Sequence, residues 1–525
     1  MYCKGSLDST NHHRPGCYNV QDSPLTSQEM RVLELNAEYL GVTHNMLMQN
    51  AGREVARVVS EDQNIAGKHI VILCGLGGNG GDGMVAARYL QEEGARIEVY
   101  LLGSENDISN SETIINWGIL RNLHEIKRAV LKTESSVKKS KSILDADIAI
   151  DAMMGFGLEN RLREPILSGV GMFNKSKAKK YAVDIPTGVD SDTGNIQGKA
   201  VKADVTIALH GPKKGFLAAK ELVGKIRVVS IGIPAEAKTI CGPGDLFMFV
   251  QPRKANSRKG DFGRILVVGG SDVYSGAPAL AGLAALRTGA DLVSIMTPEP
   301  VVSAVRSYSP NLMVSSLGTR VLMHESSESI IDMASSQDVI ALGPGLGLEH
   351  ETVLSVRDIV DKLVSLKKPI ILDADGLKAL AGSEIRLNPD FSVLTPHWGE
   401  LSVLMEKKLG MASDLSNRID AALETAQKYN SVILLKGPID VVVHPDGRYK
   451  LNRTGVPAMS VGGTGDVLSG IVAALLARGK GAFKAASAAA FVSGSAGELA
   501  FKELGDHIMA TDCIDRIPAA MKSSS

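Results

Sequence analysis

Residues 461–470 place an acidic side chain at the edge of a glycine-rich segment that leads into an apolar stretch. Asp466 follows Gly462, Gly463 and Gly465. Glycines allow the backbone to approach a ligand closely, and the open N–H groups at the start of a helix favour an anion. A carboxylate beside such an anion site can take a proton from an attacking hydroxyl, which is the arrangement that phosphoryl transfer needs. The alternative is an Asp that caps a helix after a glycine-rich turn.

Four further polar segments in the second half of the chain follow apolar runs that predict strands. Each has a structural explanation by itself, since Gly-Pro-Gly is an ordinary turn, a lone histidine is usually satisfied by its neighbours, and a lysine can cap a strand. Together they predict a cleft for a nucleotide and a second, polar substrate. The segments are Gly343-Pro344-Gly345-Leu346-Gly347, Asp373-Ala374-Asp375, Thr395-Pro396-His397-Trp398-Gly399-Glu400 and Lys436-Gly437.

The first half of the chain has a glycine-rich segment of its own at residues 75–83, which predicts a turn between a strand and a helix that begins at residue 84. Its Gly-x-Gly-x-x-Gly spacing is a weak indication of pyrophosphate binding, whereas its Asn-Gly-Gly-Asp-Gly core is more distinctive. Asp151 and Asp184 each follow an apolar run, and Thr187 lies in a Pro-Thr-Gly turn. Both aspartates have an alternative explanation as caps at strand ends.

Strands alternate with helices in both halves, which predicts mostly parallel sheets with helices on both faces and ligands beyond the carboxyl ends of the strands. We therefore expect an α/β protein of two domains, the first a Rossmann-like three-layer α/β/α domain. The predicted division is a disordered tail at 1–24, a first domain at 25–235, a linker at 236–258 and a second domain at 259–525.

Composition excludes several classes of protein. The formal net charge of −1 without a basic block argues against nucleic-acid binding, and no apolar run reaches the length of a membrane span. The five scattered cysteines have neither metal-binding nor disulfide spacing, so we expect a cytoplasmic protein. Residues 1–23 are polar, which indicates a tail rather than a signal peptide.

The motifs of the second half resemble the ribokinase-like family of ADP/ATP-dependent NAD(P)H-hydrate dehydratases. Order and spacing match from Lys259-Gly260 through Tyr274-Ser275-Gly276-Ala277 to residues 462–466. The resemblance implies a ribokinase-like fold and dehydration of the S hydrate back to NAD(P)H. Phosphate would be released together with AMP from ADP, or with ADP from ATP, and Mg²⁺ would accompany the nucleotide.

The same resemblance implies roles for individual residues of the second half. Asp466 would be the base on the substrate hydroxyl, and the other substrate contacts would be Ala277, Gly345 and His397. The nucleotide contacts would be Lys436, Gly437, Pro438, Ile439, Asp440 and Gly465. Two positions depart from the family pattern: Trp398 stands where proline is usual, and Pro438-Ile439-Asp440 replaces a small-polar-threonine run. The second departure leaves the exact nucleotide contacts, and the choice between ADP and ATP, open.

The motifs of the first half resemble the NAD(P)H-hydrate epimerase family, which acts on the same damaged cofactor. The resemblance implies Asp184 as the general acid/base and a potassium ion held by Asn79, Asp151 and Thr187. Gly78 departs from the asparagine that is usual in the family. The implied substrate contacts are Gly78, Asn79, Gly80, Gly81, Asp82, Gly155, Phe156, Gly157, Leu158, Glu159, Asn160, Arg161 and Asp184.

Two other functions remain open from the sequence. A ribokinase-type small-molecule kinase would share the anion site around Asp466 but would not need the first half of the chain. A non-catalytic nucleotide sensor is possible, although Asp184, Lys436 and Asp466 are all present. We also expect a homo-oligomer that binds only small molecules.

Overall fold

A computed structural model of the chain describes residues 24–156, 161–196, 198–250, 252–410 and 414–522. The chain divides into two compact units. The first contains Gly41–Ala235 and the chain up to Met30, and the second contains Glu236–Ser525 together with Arg31–Leu40. No helix in the described ranges combines the length and apolar character that a membrane span requires.

The first unit is built on one parallel sheet. Its strands are β1 (His69–Cys74), β2 (Arg96–Leu102), β3 (Lys127–Leu131), β4 (Ile148–Ala152), β5 (Lys179–Val183), β6 (Val205–Leu209) and β7 (Lys225–Val229). They lie in the order β3-β2-β1-β4-β5-β6-β7, and every pairing is parallel. The order reverses between β1 and β4, which is where open α/β sheets bind ligands.

Helices cover both faces of this sheet. They are α2 (His44–Asp62), α3 (Gly78–Glu92), α4 (Ser111–Arg121), α5 (Glu134–Lys139), α6 (Ser142–Asp145), α7 (Ile166–Lys175) and α8 (Lys220–Val223). Helix α1 (Ser27–Tyr39) lies mostly in the second unit. Val71 and Leu73 of β1 pack in one cluster with Phe173 of α7. Ile72, whose side chain points the other way, faces Gly83 of α3. This alternation gives the expected three layers.

The second unit contains a larger sheet with an antiparallel end. Its strands are β8 (Arg264–Val268), β9 (Leu292–Thr297), β10 (Met313–Ser316), β11 (Val339–Leu342), β12 (Ile370–Leu372), β13 (Ser392–Leu394), β14 (Val432–Leu435), β15 (Asp440–Val443) and β16 (Tyr449–Asn452). The order is β10-β9-β8-β11-β12-β13-β14-β15-β16, and only the β14–β15 and β15–β16 pairs are antiparallel among the described strands. Here the order reverses between β8 and β11.

Helices also cover both faces of the second sheet. They are α9 (Glu236–Thr239), α10 (Pro243–Phe247), α11 (Gly276–Thr288), α12 (Val302–Tyr308), α13 (Ser327–Ser335), α14 (His350–Ser365), α15 (Asp375–Leu380), α16 (Trp398–Met405), α17 (Leu415–Tyr429), α18 (Thr464–Leu476), α19 (Ala482–Leu504) and α20 (Ala510–Lys522). Val267 and Ala341 pack against α11, α18 and α19 in one buried cluster, whereas Leu266 and Ile340 pack in a second cluster with α14 and α17. The expected class of two α/β domains is confirmed.

Residues 236–258, which the sequence analysis predicts to be a linker, are partly built into the second unit instead. They include α9 and α10, with Cys241 and Leu246 fully buried. Gly242 and Pro243 begin a helix here, at the cap and first helical positions that suit these residue types. The predicted tail lies, apart from Pro24, outside the described residues.

Candidate active sites

In the second unit, backbone hydrogen bonds join the loops that follow the central strands. The N–H of Gly343 donates to Val268 O, that of Asp373 to Leu342 O, that of Thr395 to Leu372 O and that of Lys436 to Pro396 O. Each strand end therefore holds the loop beside it. As a result, the polar segments singled out in the sequence share one edge of the sheet.

Asp466 lies in the first turn of α18. Gly463 caps that helix with a φ of 95°, a left-handed conformation that favours glycine. Among the described residues no hydrogen bond ends on the Asp466 carboxylate. Burial, reinforced by the nearby Asp373 carboxylate and opposed by Lys436, raises the pKa of Asp466 to about 7. A carboxyl group with this pKa suits a general base near neutral pH.

Lys436 brings a positive charge to the start of α18. Its Nζ lies 2.9 Å from Asp373 Oδ1 and 3.8 Å from Glu400 Oε2. A Cβ placed on Gly465 would lie 3.3 Å from the same Nζ. Burial alone would lower the pKa of Lys436, but the Asp373 and Glu400 carboxylates outweigh it and raise that pKa. The ammonium is therefore charged and adjoins the expected anion site.

Asp373 is the residue that fixes Lys436 and α18 to each other. It is buried, and its second oxygen, Oδ2, accepts a hydrogen bond of 2.6 Å from the Ser469 hydroxyl of α18. Ser469 lies three residues after Asp466, so both side chains face the sheet edge from the same side of the helix. The pair Asp373 and Ser469 thus positions Asp466 and Lys436 relative to each other.

His397 has a structural task as well as a place in this site. Its Nδ1 accepts hydrogen bonds from the N–H groups of Gly399 and Glu400, at 3.0 and 3.4 Å, and caps α16. Glu400 returns the contact by accepting from the His397 N–H at 2.9 Å, which completes a capping box. Because Nδ1 is an acceptor, the neutral ring carries its proton on Nε2, and the side chain remains exposed.

The two other predicted substrate contacts lie next to each other. Gly345 has a φ of 68°, and a Cβ there would lie 2.8 Å from the Tyr274 Cβ and 3.3 Å from the Ala277 Cβ. Asp375 anchors the same loop, because its Oδ2 accepts a hydrogen bond of 2.9 Å from the Gly347 N–H. Ala277, Gly345 and Tyr274 therefore form one wall at the switch between β8 and β11.

The turn after β14 is held from beneath by charged side chains. Asp440 accepts from the Gly437 N–H at 2.9 Å and from Asn452 Nδ2 at 3.0 Å, so both of its oxygens are engaged. Arg418 of α17 donates to Lys436 O at 3.3 Å. Gly437 and Pro438 are exposed. Asp440 supports the shape of the turn, and the exposed backbone of Gly437 and Pro438 is the part that a nucleotide could reach.

The carboxylates of this site suit a metal ion that arrives with a nucleotide. Among the described residues no group of three or more His, Cys, Asp or Glu side chains could hold a metal ion by itself. Mg²⁺ commonly binds through one or two carboxylates together with substrate phosphates. The carboxylates of Asp373, Asp375 and Glu400 are close enough to Asp466 to raise its pKa. Carboxylate oxygens therefore lie near the place where such an ion would bind.

In the first unit the glycine-rich segment begins a helix rather than a loop. We expected a turn over residues 75–83 and a helix from residue 84, but α3 starts at Gly78, with Gly77 as its cap. A Cβ on Gly80 would lie 2.1 Å from Gly75 O, so only glycine allows this close approach. Gly80, Gly81 and Asp82 are buried, which leaves the N–H groups of Gly78 and Asn79 as the open donors at the helix start.

Asp151 and Thr187 form a buried cluster beside this helix start. The Thr187 hydroxyl lies 2.7 Å from Asp151 Oδ1, and the Thr187 N–H donates to Asp151 Oδ2 at 2.8 Å. Burial raises the pKa of Asp151 to about 6, although these hydrogen bonds favour the carboxylate. Asn79 is different, because its buried Oδ1 and Nδ2 have no hydrogen-bond partner among the residues that the structure describes. An unpartnered amide oxygen together with carboxylate and hydroxyl oxygens is a donor set that fits a hard monovalent cation.

Asp184 follows β5 in a left-handed conformation with a φ of 64°. Its Oδ1 accepts from the Leu209 N–H at 3.2 Å and lies 2.7 Å from Lys213 Nζ. The Lys213 ammonium also lies 6.0 Å from the centre of the Phe156 ring. The structure thus brings Asp184 together with Phe156, two of the residues that the sequence analysis selected.

The remaining predicted contacts of this unit are only partly described. A Cβ on Gly155 would lie 3.5 Å from Asn79 Oδ1, so Gly155 adjoins the proposed cation ligand. Arg161 is exposed. Gly157, Leu158, Glu159 and Asn160 lie outside the described residues.

Comparison with known proteins identifies the family. Residues 44–215 match the family model described as YjeF-related protein N-terminus, and residues 265–519 match the model described as NAD(P)H-hydrate dehydratase. A bifunctional NAD(P)H-hydrate repair enzyme of Methanothermobacter thermautotrophicus is 39% identical over 506 residues, which cover 95% of this chain and 96% of the relative. The chain belongs to the bifunctional NAD(P)H-hydrate repair enzymes. A second such repair enzyme, from Pyrobaculum aerophilum, is 43% identical over 505 residues, covering 95% of this chain and 98% of the relative.

One solved structure resembles the second half of this repair enzyme. The ADP/ATP-dependent NAD(P)H-hydrate dehydratase of Bacillus subtilis, co-crystallised with ATP and Mg²⁺, is 30% identical. The match covers 55% of this chain and 99% of that chain, with a TM-score of 0.47.

Four residues of the repair enzyme lie in the two sites but were given no individual role from the sequence, although Glu400 ends one of the predicted cleft segments: Glu400, Ser469, Arg418 and Lys213. Two of them had a sequence signal, since Glu400 stands three residues after His397 in a capping-box pattern and Ser469 stands three residues after Asp466. Arg418 and Lys213 had none, because they reach their partners through the tertiary fold.

Proposed function

We propose that the two units of this repair enzyme carry separate steps on hydrated NADH and NADPH. The second unit dehydrates the S hydrate at the expense of ADP or ATP and releases phosphate with AMP or ADP. The first unit interconverts the R and S hydrates, so that the whole damaged pool becomes available for repair. The observation that carries the proposal is the position of Asp466, with a pKa of about 7, beside Lys436 at the start of α18.

Dehydration requires a better leaving group than hydroxide. Asp466 takes the proton from the substrate hydroxyl, whose oxygen then attacks the terminal phosphoryl group of the nucleotide. The N–H groups at Gly463–Gly465 and the Lys436 ammonium stabilise the negative charge of the group being transferred. Phosphate then leaves with assistance from the ring nitrogen, and the neighbouring ring carbon loses a proton, which restores the carbon–carbon double bond of the dihydronicotinamide ring.

The remaining residues of the second unit divide between substrate and nucleotide. Ala277, Gly345 and His397 are proposed to contact the hydrated nicotinamide nucleotide. The turn after β14 is proposed to contact ADP or ATP through Lys436, Gly437, Pro438, Ile439 and Asp440, together with Gly465. Mg²⁺ bound to the nucleotide would neutralise phosphate charge, with carboxylates of the Asp373, Asp375 and Glu400 group beside it.

In the first unit, Asp184 is proposed to move the proton of the substrate hydroxyl during epimerisation. The phosphates and ribose lie on the start of α3 and on the loop after β4, where open helix N–H groups favour an anion. The residues concerned are Gly78, Asn79, Gly80, Gly81, Asp82, Gly155, Phe156, Gly157, Leu158, Glu159, Asn160 and Arg161.

A potassium ion is proposed to bind Asn79, Asp151 and Thr187. Bound there, it would supply a fixed positive charge close to the substrate phosphates. The unpartnered Asn79 Oδ1 supports this assignment.

We place the enzyme in the cytoplasm, acting on small molecules. The cysteines in the described ranges, Cys74, Cys241 and Cys513, are free and buried, as a reducing compartment allows. That the chain forms a homo-oligomer stays a prediction.

A mixture of the two hydrate epimers tests both activities at once. With ADP or ATP and Mg²⁺, we expect the intact chain to restore the whole reduced-nicotinamide absorbance. Asp466→Asn should abolish recovery while epimerisation continues, and Asp184→Asn should leave only the S epimer repairable. No recovery with either nucleotide would contradict the proposal. Phosphate retained on the substrate instead of released would identify a kinase.

A further inference from the structure

The acid–base candidate of the first unit has a buried cationic partner. Lys213, in the loop after β6, is only 1% exposed, and Asp184 is 2% exposed. Besides the 2.7 Å contact with Asp184 Oδ1, Lys213 Nζ donates to Leu209 O at 3.0 Å and to Gly211 O at 3.3 Å. Three oxygens therefore surround one buried nitrogen.

This environment fixes the charge of both partners. An ammonium has three N–H donors, whereas a neutral amine has two and would leave one of the three oxygens facing a lone pair. Lys213 is therefore positively charged, and Asp184 is the carboxylate that balances it. In a site from which water is excluded, this attraction is much stronger than at the surface.

The two oxygens of Asp184 have different surroundings. Oδ1 is occupied by Lys213 and by the Leu209 N–H. None of the hydrogen bonds found among the described residues ends on Oδ2, so this oxygen can receive a proton from a ligand. Oδ1 thus anchors the carboxylate, whereas Oδ2 is the oxygen that can exchange a proton with the substrate.

The backbone that carries this pair is strained on both sides. Asp184 after β5 and His210 after β6 both have a φ of 64°, and neither is glycine. The two N–H groups are nevertheless held, that of Asp184 by Ile207 O and that of His210 by Val229 O, both at 2.8 Å. Such conformations cost free energy and are typical of functional sites. Because β5 and β6 are parallel neighbours, Asp184 and the Lys213 loop, which follow them, lie at the same edge of the sheet.

We propose that Lys213 is a positioning residue of the epimerase reaction, which keeps Asp184 ionised and directs Oδ2 toward the substrate hydroxyl. This inference rests on the proposed function. Oδ2 accepts the hydroxyl proton as that C–O bond becomes a carbonyl and the bond from the same carbon to the ring nitrogen breaks, with the electron pair passing to nitrogen. The nitrogen re-forms the bond on the opposite face of the carbonyl and Oδ2 returns the proton to the oxygen, so that Lys213 neither gains nor loses a proton. Other buried titratable groups at this edge are Asp82, Asp151 and His210.

The test compares Lys213→Met, Asp184→Asn and the double variant, with the dehydratase activity of the same chain as an internal control for folding. Lys213→Met should lower the kcat of epimerisation about a hundredfold or more and change KM only a few-fold. The double variant should lose no more epimerase activity than Asp184→Asn alone, because Lys213 acts through Asp184.

Three results would overturn the inference: an unchanged kcat, a loss that appears in KM instead of kcat, or losses that add in the double variant. If Lys213→Met does not fold, Lys213→Arg provides the test instead, because arginine keeps the positive charge but places its N–H donors differently. Its kcat should fall while KM is kept, and a wild-type kcat would contradict the proposal. Wild-type protein that lacks epimerase activity would instead refute the proposed function itself.

Discussion

Asp466, the proposed base, illustrates how the fold, rather than the residue type, sets the pKa of a carboxyl group. An isolated aspartate has a pKa of 3.8, whereas burial beside Asp373 raises the pKa of this one to about 7. Lys436 opposes the rise, so the final pKa depends on the balance between one cation and several carboxylates. This balance makes the reaction of the second unit sensitive to pH in a way that can be measured.

The rate of nucleotide-dependent dehydration should rise with pH through about 7 and level off above it, because only the carboxylate form of Asp466 accepts a proton. Glu400 is one of the groups that raise this pKa. Glu400→Gln should therefore move the rising part of the pH–rate profile to lower pH by up to about one unit. Initial rates across the pH range give both results.

Epimerisation by the same variant is the control, since Glu400 belongs to the second unit, and its pH profile should not move. If the rising part of the pH–rate profile of Glu400→Gln stays in place or moves to higher pH, Asp466 does not set the pH dependence of dehydration.

At the scale of elements, both glycine-rich segments turned out to be helix starts. The structure begins α18 at Thr464 and α3 at Gly78, earlier than the apolar patterns indicate. Apolar periodicity marks the face of a helix that packs, whereas the first turn is fixed by backbone conformation at the preceding glycine. The open N–H groups that matter for an anion lie in that first turn.

Replacing Gly463 with alanine should therefore damage the anion site. Its φ of 95° is unfavourable for alanine by about 1–3 kcal/mol, and the added Cβ would lie 2.6 Å from Leu280 Cδ1 and 3.0 Å from the Ala510 Cβ. We expect kcat for dehydration to fall by roughly tenfold or more as the N–H groups of α18 shift. Steady-state kinetics with the S hydrate and ADP measures this.

The neighbouring glycine provides a matched control. A Cβ on Gly462 would have no heavy atom within 4 Å, and its φ is not in the left-handed region. Gly462→Ala should keep wild-type kinetics. Equal losses in the two variants would mean that any change in this segment is harmful and that the conformation of Gly463 is not the cause.

At the scale of the whole molecule, the chain does not divide where its composition changes. Helix α1 comes from the start of the described chain, yet Arg31–Leu40 belongs to the second unit. Within that unit, Asn36 accepts a hydrogen bond from the Gly244 N–H at 2.9 Å. It also donates to Ala237 O at 3.1 Å and to Asp245 Oδ2 at 3.3 Å. Asp245 in turn pairs with the buried Lys450 at 2.7 Å.

Asn36→Ala should consequently destabilise the dehydratase unit, by about 1–3 kcal/mol, because it leaves buried polar groups of residues 237–245 unsatisfied. The midpoint for heat inactivation of dehydratase activity should fall, and that of epimerase activity should fall less. Gln28→Ala, at an exposed position of the same helix, is the control and should leave both midpoints unchanged. A midpoint for Asn36→Ala equal to wild type would show that the helix is not needed by the second unit.

The sequence by itself determined the class of the fold, the central strands and the residues that follow them. Apolar runs of the right length can only be buried strands here, and polar groups directly after parallel strands collect at one edge. The edge strand Lys127–Leu131 was missed, because it is largely exposed and carries no apolar pattern.

Only the tertiary structure decided which side chains support those residues. Lys213 is 29 residues from Asp184, and Ser469 is 96 residues from Asp373, so no local spacing relates them. Residues 236–258 read as a linker because proline and glycine break patterns, yet the same residues begin a buried helix once Asn36 supplies hydrogen bonds. Contacts between distant parts of the chain depend on how the layers pack, and burial in those layers is what raises the pKa of Asp466 and orders the pair of Asp184 and Lys213.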